Sequence, residues 1–235
     1  MDQGILTGPE IVREVCAGNI HIEGFDTSRI HSEDDSPMNP ASYDLCLGSQ
    51  VAVYKAVVAL PRSYEYDFAG SAGPMNSHSV AIASRDDIER HRGDLIRANP
   101  NGVLDSKKEN EVHVFLMNEE RGWQVNPGVG YLMHTKEAVH TDKYVPIVDG
   151  KSSTGRLFVT AHVTAGYGDP GFDGEYTLEV VSTHRVVLYP GMRFCQIRFH
   201  TKVGKHLGYK GNYVGATSRG PVPSRSWKQF RKAGA

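Results

Sequence analysis

The chain is predicted to be mainly β, a sandwich or barrel of short strands with one short N-terminal helix. Three observations carry this. Beyond residue 111, short apolar runs recur at 112–117, 131–133, 144–148, 157–164, 176–181, 186–189 and 194–199. Gly, Pro, Asn and Asp separate them, as turns between strands require. The 235 residues accommodate one or two domains, and all-β folds often reach this length as one.

The elements follow in order. Thr7-Gly8-Pro9-Glu10 has capping-box spacing, and Ile11, Val12, Val15 and Cys16 follow at helical intervals. Gly18 is a natural stop. Tyr43, Leu45 and Leu47 then alternate with small or polar residues, the period of a strand. Residues 70–110 are polar and charged and read as an insertion, with a short helix expected over Ser84–Arg92. The strand runs occupy 112–199. Residues 205–235 lack apolar periodicity, which suits either a tail that orders over a ligand or a disordered end. The expected division is a β domain over 1–204 and a basic tail over 205–235.

Composition narrows the function classes. Hydrophobic residues make up 39% of the chain, enough for a core. No apolar run approaches the roughly 18 residues of a membrane span, and the N-terminus lacks a signal-peptide pattern. Cys16, Cys46 and Cys195 are far apart and odd in number, which fits a reducing cytoplasm better than a disulfide framework. The net charge of −1 hides an asymmetry: residues 180–235 hold eleven Lys or Arg and no Asp or Glu. Such a segment is either a solvated basic face or a site for an anion, polyphosphate and nucleic acid both qualifying.

Chemistry concentrates in residues 150–179, GKSSTGRLFVTAHVTAGYGDPGFDGEYTLE. Lys151, Ser152, Ser153 and Arg156 gather cations and hydroxyls, which suit a phosphate-bearing ligand. The loop from Ala165 to Gly171 carries one carboxylate, Asp169, which also suits a plain turn before Pro170-Gly171. Glu179 lies in an apolar strand pattern on the face of Thr177 and Val181. It reads as a general acid/base or as a solvent-facing glutamate of an edge strand. No H-x-E…P-C-x-x-C signature, no H-E-x-x-H and no closely spaced cysteine pair occurs, so no zinc is expected.

GKSSTGR, TAGYGDPGF, YTLEV and LYPGMRFCQI, with NPASYDLCLG at 39–48 and YKGNYVGATSRGPVPSR at 209–225, closely resemble the dCTP deaminase branch of the trimeric dUTPase superfamily. The resemblance implies a distorted jelly-roll or β-barrel assembled as a homotrimer. It implies zinc-independent deamination of dCTP to dUTP and ammonia. Glu179 maps onto the family's general base, and Ser152 and Arg156 onto residues that contact phosphate and support the reaction centre. Lys151, Ser153, Ala165, Asp169, Tyr209, Lys210 and Tyr213 become substrate-binding residues, Ala165 through its backbone and Asp169 at the sugar 3′-hydroxyl. Mg2+ is expected with the triphosphate. Neither a membrane nor a nucleic acid is expected as partner.

Departures widen the reading. Lys151 stands where many deaminases have Arg, and GKSS with the AGYGDPGF loop resembles the bifunctional members that release pyrophosphate and leave dUMP. Asn212-Tyr213 replaces a Lys-Tyr pair, the usual glutamine position reads Ala216, and Thr217-Ser218 looks inserted. The alternatives are therefore a bifunctional enzyme, a plain dUTPase, a deaminase of a modified pyrimidine nucleotide, or, in another class, a non-catalytic nucleotide- or nucleic-acid-binding trimer.

Overall fold

The computed structural model describes residues 4–32, 35–60, 93–161, 165–205, 207–211, 213 and 219–231. The expected helix over Ser84–Arg92 and the Ala216–Ser218 departures lie outside them.

The chain opens with helix α1 (Gly8–Cys16), strand β1 (His21–Ile22) and the single turn α2 (Thr27–Ile30). Strands β2 (Met38–Asn39), β3 (Ser42–Cys46), β4 (Gln50–Tyr54), β5 (Val58–Ala59), β6 (Arg97–Ala98), β7 (Val112–Leu116), β8 (Trp123–Val125), β9 (Tyr131–His140) and β10 (Tyr144–Gly150) follow. A one-turn helix α3 (Ser152–Gly155) precedes β11 (Val159–Thr160), β12 (Asp173–Ser182), β13 (Val186–Leu188) and β14 (Arg193–Thr201), and a 3-10 turn closes at Ser226–Phe230.

The fold is mainly β with short helices, as the apolar runs predict. Six strands form one sheet in the order β11-β12-β9-β4-β7, with β1 also on β9, and four form a second in the order β10-β14-β3-β2. Between the two lies the core, where Trp123, Tyr131, Phe115, Phe194 and Phe199 are fully enclosed. No closed barrel forms among the described strands. Nor is any helix of the described residues long and apolar enough to cross a membrane.

Two local expectations change. Thr7 occupies the N-cap of α1, but its side chain makes no capping bond. Glu10 pairs with Arg13 one turn on instead, so the reciprocal bond of a capping box does not form. The run at 157–164 yields only two residues of strand, with 162–164 outside the described residues. At the near end of the polar stretch 70–110, β6 pairs with β5 and Ile96 is fully buried. The Asn126 amide ties that end down by donating to the Gly93 and Ile96 carbonyls.

Candidate active site

The site is built on the two long central strands. β12 and β9 run antiparallel with Glu179 opposite Leu132, and Leu132 in turn faces Ala52 of β4. Paired residues project to one side of a sheet and so do residues two apart. Glu175, Thr177 and Glu179 therefore share a face with His134 of β9 and with Gln50 and Tyr54 of β4. The alternation read from sequence places Glu179 on the same face, where it is half-buried.

The C-terminal segment crosses this face. The Ser224 amide donates to the Tyr54 hydroxyl at 2.8 Å, and the Arg225 amide to the Tyr213 hydroxyl at 3.1 Å. The Arg225 guanidinium also lies 5.6 Å from the centre of the Tyr213 ring. Burial pushes the Tyr54 hydroxyl above its ordinary pKa, and Tyr213 and Glu179 add to that against the Ser224 amide. Tyr209 is likewise raised, by burial first and then by Asp169 and Tyr213, against the Tyr213 amide. Its ring meets Phe172 edge-on at 5.9 Å. Four of the predicted residues, Asp169, Tyr209, Tyr213 and Glu179, are thus linked through Tyr54 and Phe172 into one neighbourhood.

The loop that carries Asp169 is pinned to the edge of β10. Val148 donates its amide to the Gly166 carbonyl, and the Gly168 amide donates to Pro146, each at 2.8 Å. Ala165 and Asp169 are exposed along this loop, and Lys210 is exposed on the tail.

The Ser/Arg cluster sits on α3, at the far end of β10. Lys151 is its extended N-cap residue and Arg156 its C-cap. Thr154 is buried and donates its hydroxyl to the Phe194 carbonyl at 3.0 Å, which leaves Ser152, Ser153 and Arg156 exposed. The chain then passes through Phe158, which has a φ of 56° although it is bulky and 61% exposed. That conformation costs on the order of 1–3 kcal/mol and is held by its surroundings. The Thr183 amide donates to the Phe158 carbonyl, and the ring meets His184 edge-on at 5.2 Å. Val159 pairs with Ser182, so the turn joins the C-terminal end of the strand that bears Glu179.

Lys151 departs from its companions. Its ammonium reaches the buried carboxylate of Asp44 on β3 at 2.5 Å, and Asn39 donates to the other oxygen of that carboxylate at 2.8 Å. The charge read as a phosphate contact is already engaged within the protein.

Sequence reasoning missed Asp44, Tyr54, His134, Glu175 and Arg219. For Glu175 a signal existed, since alternation places it on the face of Glu179. For the rest the partners are far apart in the chain. Among the described residues, no group of three or more His, Cys, Asp or Glu is arranged to hold a metal ion.

Comparison with known proteins agrees in family. The profile of the dCTP deaminase-like family matches residues 62–202. A protein of Clostridium beijerinckii described as "dCTP deaminase, dUMP-forming" is 33% identical over 97% of this chain and 99% of its own length. One of the same description from Leptospira biflexa serovar Patoc is 43% identical over 97% of this chain and 99% of its own. The solved structure of 2′-deoxycytidine 5′-triphosphate deaminase from Agrobacterium tumefaciens aligns with 86% of this chain and 49% of that one, at 20% identity and a TM-score of 0.49.

Proposed function

We propose that this chain, which belongs to the dCTP deaminase-like family, deaminates dCTP and then releases pyrophosphate, leaving dUMP. The observation that carries the chemistry is the position of Glu179. It is a half-buried carboxylate in mid-strand on a face crossed by a basic segment. The coupled outcome is supported by relatives with dUMP-forming names that align over nearly their whole length. It fits the Lys151 and AGYGDPGF features that already leaned that way. Deamination that stops at dUTP is the alternative, and the final step separates the two.

In this reading Glu179 takes a proton from water as the oxygen adds to C4 of the cytosine ring. It passes that proton to the amino group, whose bond to C4 breaks as ammonia departs, and the remaining hydroxyl proton moves to ring N3 as C4 becomes a carbonyl. A second water, activated by Asp169, attacks phosphorus and expels pyrophosphate. Ser152, Ser153 and Arg156 bind the phosphate oxygens, Arg156 through paired donors. The backbone at Ala165 contacts the base, and Tyr209, Lys210 and Tyr213 belong to the tail over residues 205–235 that covers the nucleotide. Lys151 acts through Asp44 by fixing the start of α3. Mg2+ enters with the substrate, held by phosphate oxygens and water.

The two sheets are read as a distorted jelly-roll of the dUTPase-like type, assembled as a homotrimer. Leu157, Phe158 and Val181 support the assembly, because they are exposed apolar side chains around the edge strand β11, beside α3. A reducing cytoplasm is the expected setting for three free cysteines.

The test is ammonia release from dCTP by wild-type protein and by Glu179→Gln. The variant is expected to fold and to bind nucleotide, with turnover lower by roughly a hundredfold or more. Near wild-type turnover would remove Glu179 from the base role.

A further inference from the structure

The loop that carries Asp169 is held on two sides, and one hold depends on a side chain that the reaction leaves unused. On one side, main-chain bonds tie Gly166 and Gly168 to the edge of β10. On the other, the loop meets the last residue of β9 and the turn that follows it. The Gly171 amide donates to the Thr141 carbonyl at 2.9 Å. The His140 ring nitrogen Nδ1 stands 3.0 Å from the Phe172 carbonyl. A carbonyl oxygen only accepts, so Nδ1 carries the hydrogen and donates. Among the described residues, His140 is the side chain that hydrogen-bonds the main chain of this loop.

The anchor is itself fixed. His140 pairs with His21 of β1 on one side and with Asp173 of β12 on the other. Thr141, next in the chain, is 2% exposed, and its hydroxyl donates to the Asn19 carbonyl just past α1 at 2.8 Å. The Asp142 carboxylate lies 3.4 Å from Nε2 of His140, so acceptors bracket the ring at both nitrogens. Lys202, just beyond β14, donates to the Asp142 carbonyl in turn. The loop end is a tight turn. The Phe172 amide donates to the Asp169 carbonyl at 3.1 Å, and Gly171 takes a φ of +90°, a conformation that suits glycine. Asp169 and the oxygen that His140 holds therefore belong to one hydrogen-bonded turn.

We propose that His140 is a positioning residue: by holding the Phe172 carbonyl it aims Asp169 for the attack on phosphorus, and so couples pyrophosphate release to deamination. This rests on the reading of Asp169 as the base of the second step. In that step Asp169 takes a proton from water as the oxygen bonds to the α-phosphorus. The bond from that phosphorus to the bridging oxygen breaks as pyrophosphate leaves. A displaced carboxylate slows the step it serves, and a misplacement of about 1 Å can cost roughly a hundredfold. Deamination relies on Glu179, in the middle of β12 rather than in this turn, so loosening the turn separates the two steps.

The test uses the full chain with His140→Leu, which removes the donor, and His140→Asn, which returns an N–H close to the place of Nδ1. Ammonia and pyrophosphate are followed together from dCTP with magnesium. With His140→Leu, ammonia release should keep its KM and stay within about twofold of wild type, while pyrophosphate release falls roughly tenfold or more and dUTP accumulates. His140→Asn should restore most of the pyrophosphate. Pyrophosphate that keeps pace with ammonia in His140→Leu overturns the proposal, and so does an equal fall in both products, which a merely structural role would give. If wild-type protein releases no pyrophosphate from dCTP, the coupled reading fails by itself, and amide exchange at Gly171 and Phe172 decides whether His140 holds the turn. Exchange roughly tenfold faster in His140→Leu and slow again in His140→Asn supports that hold. Unchanged rates in both variants overturn it.

Discussion

Lys151 and Asp44 are 107 residues apart, yet they form a 2.5 Å ion pair that joins the N-cap of α3 to the middle of β3. The Asp44 side chain is 2% exposed and that of Lys151 24%. The pair costs desolvation to form, and its loss on one side leaves a buried charge uncompensated. Lys151→Met should therefore destabilise the fold by about 3 kcal/mol in urea unfolding. Asp44→Asn should cost less, because Lys151 can still reach water. Equal and small effects for both would make the pair incidental.

The proposed trimer predicts complementation. Where Arg156 and Glu179 serve one site from different subunits, mixing inactive Arg156→Ala and Glu179→Gln protomers assembles some intact sites. Activity should return after subunit exchange has been verified by mass spectrometry of the mixed oligomers. No return would mean that each site is built within one chain.

The buried carboxylate of Glu175, which meets His134, the Gly220 amide and Arg219, predicts a pH dependence with a definite sign. Burial raises the Glu175 carboxyl, but hydrogen bonds from His134, Gly220 and Arg219 outweigh it and hold it below its ordinary value of 4.5. Glu23, which faces the same guanidinium, is held low first by Arg219. Among the described residues, His134 and Arg219 are the charged or titratable side chains that pair with Glu175. A lowered carboxyl stays ionised as pH falls past 4.5, so its contribution is complete above that value and disappears only on further acidification. The Gly220 amide proton should keep its shift down to pH 4.5 and move below it. A transition centred above 4.5 would contradict this arrangement.

Much of this was legible in the chain. Tyr43, Leu45 and Leu47, the runs from 112 to 199 and the helix beginning at Thr7 announce their elements, because burial on one face imposes a period that local sequence preserves. Gly18 stops the helix as expected, with its amide on the Val15 carbonyl. The face of Glu179 followed from alternation alone. The partners of Lys151 and Glu175 did not, since Asp44, His134 and Arg219 reach them only through sheet pairing and a returning tail. Asp44 looked like the polar half of an alternating strand, whereas β3 buries both faces at that point. Tyr54 carries no motif and gains its place from a backbone amide 170 residues away.

The most direct measurement of the central claim is the product profile from dCTP with magnesium, resolved by ion-exchange chromatography alongside an ammonia assay. The account predicts dUMP, pyrophosphate and ammonia in equal amounts, with Glu179→Gln blocking all three. Accumulation of dUTP with ammonia and no pyrophosphate would contradict the coupled reaction and leave simple deamination. Intact dCTP in well-folded protein, with no ammonia released, would contradict the deaminase account itself.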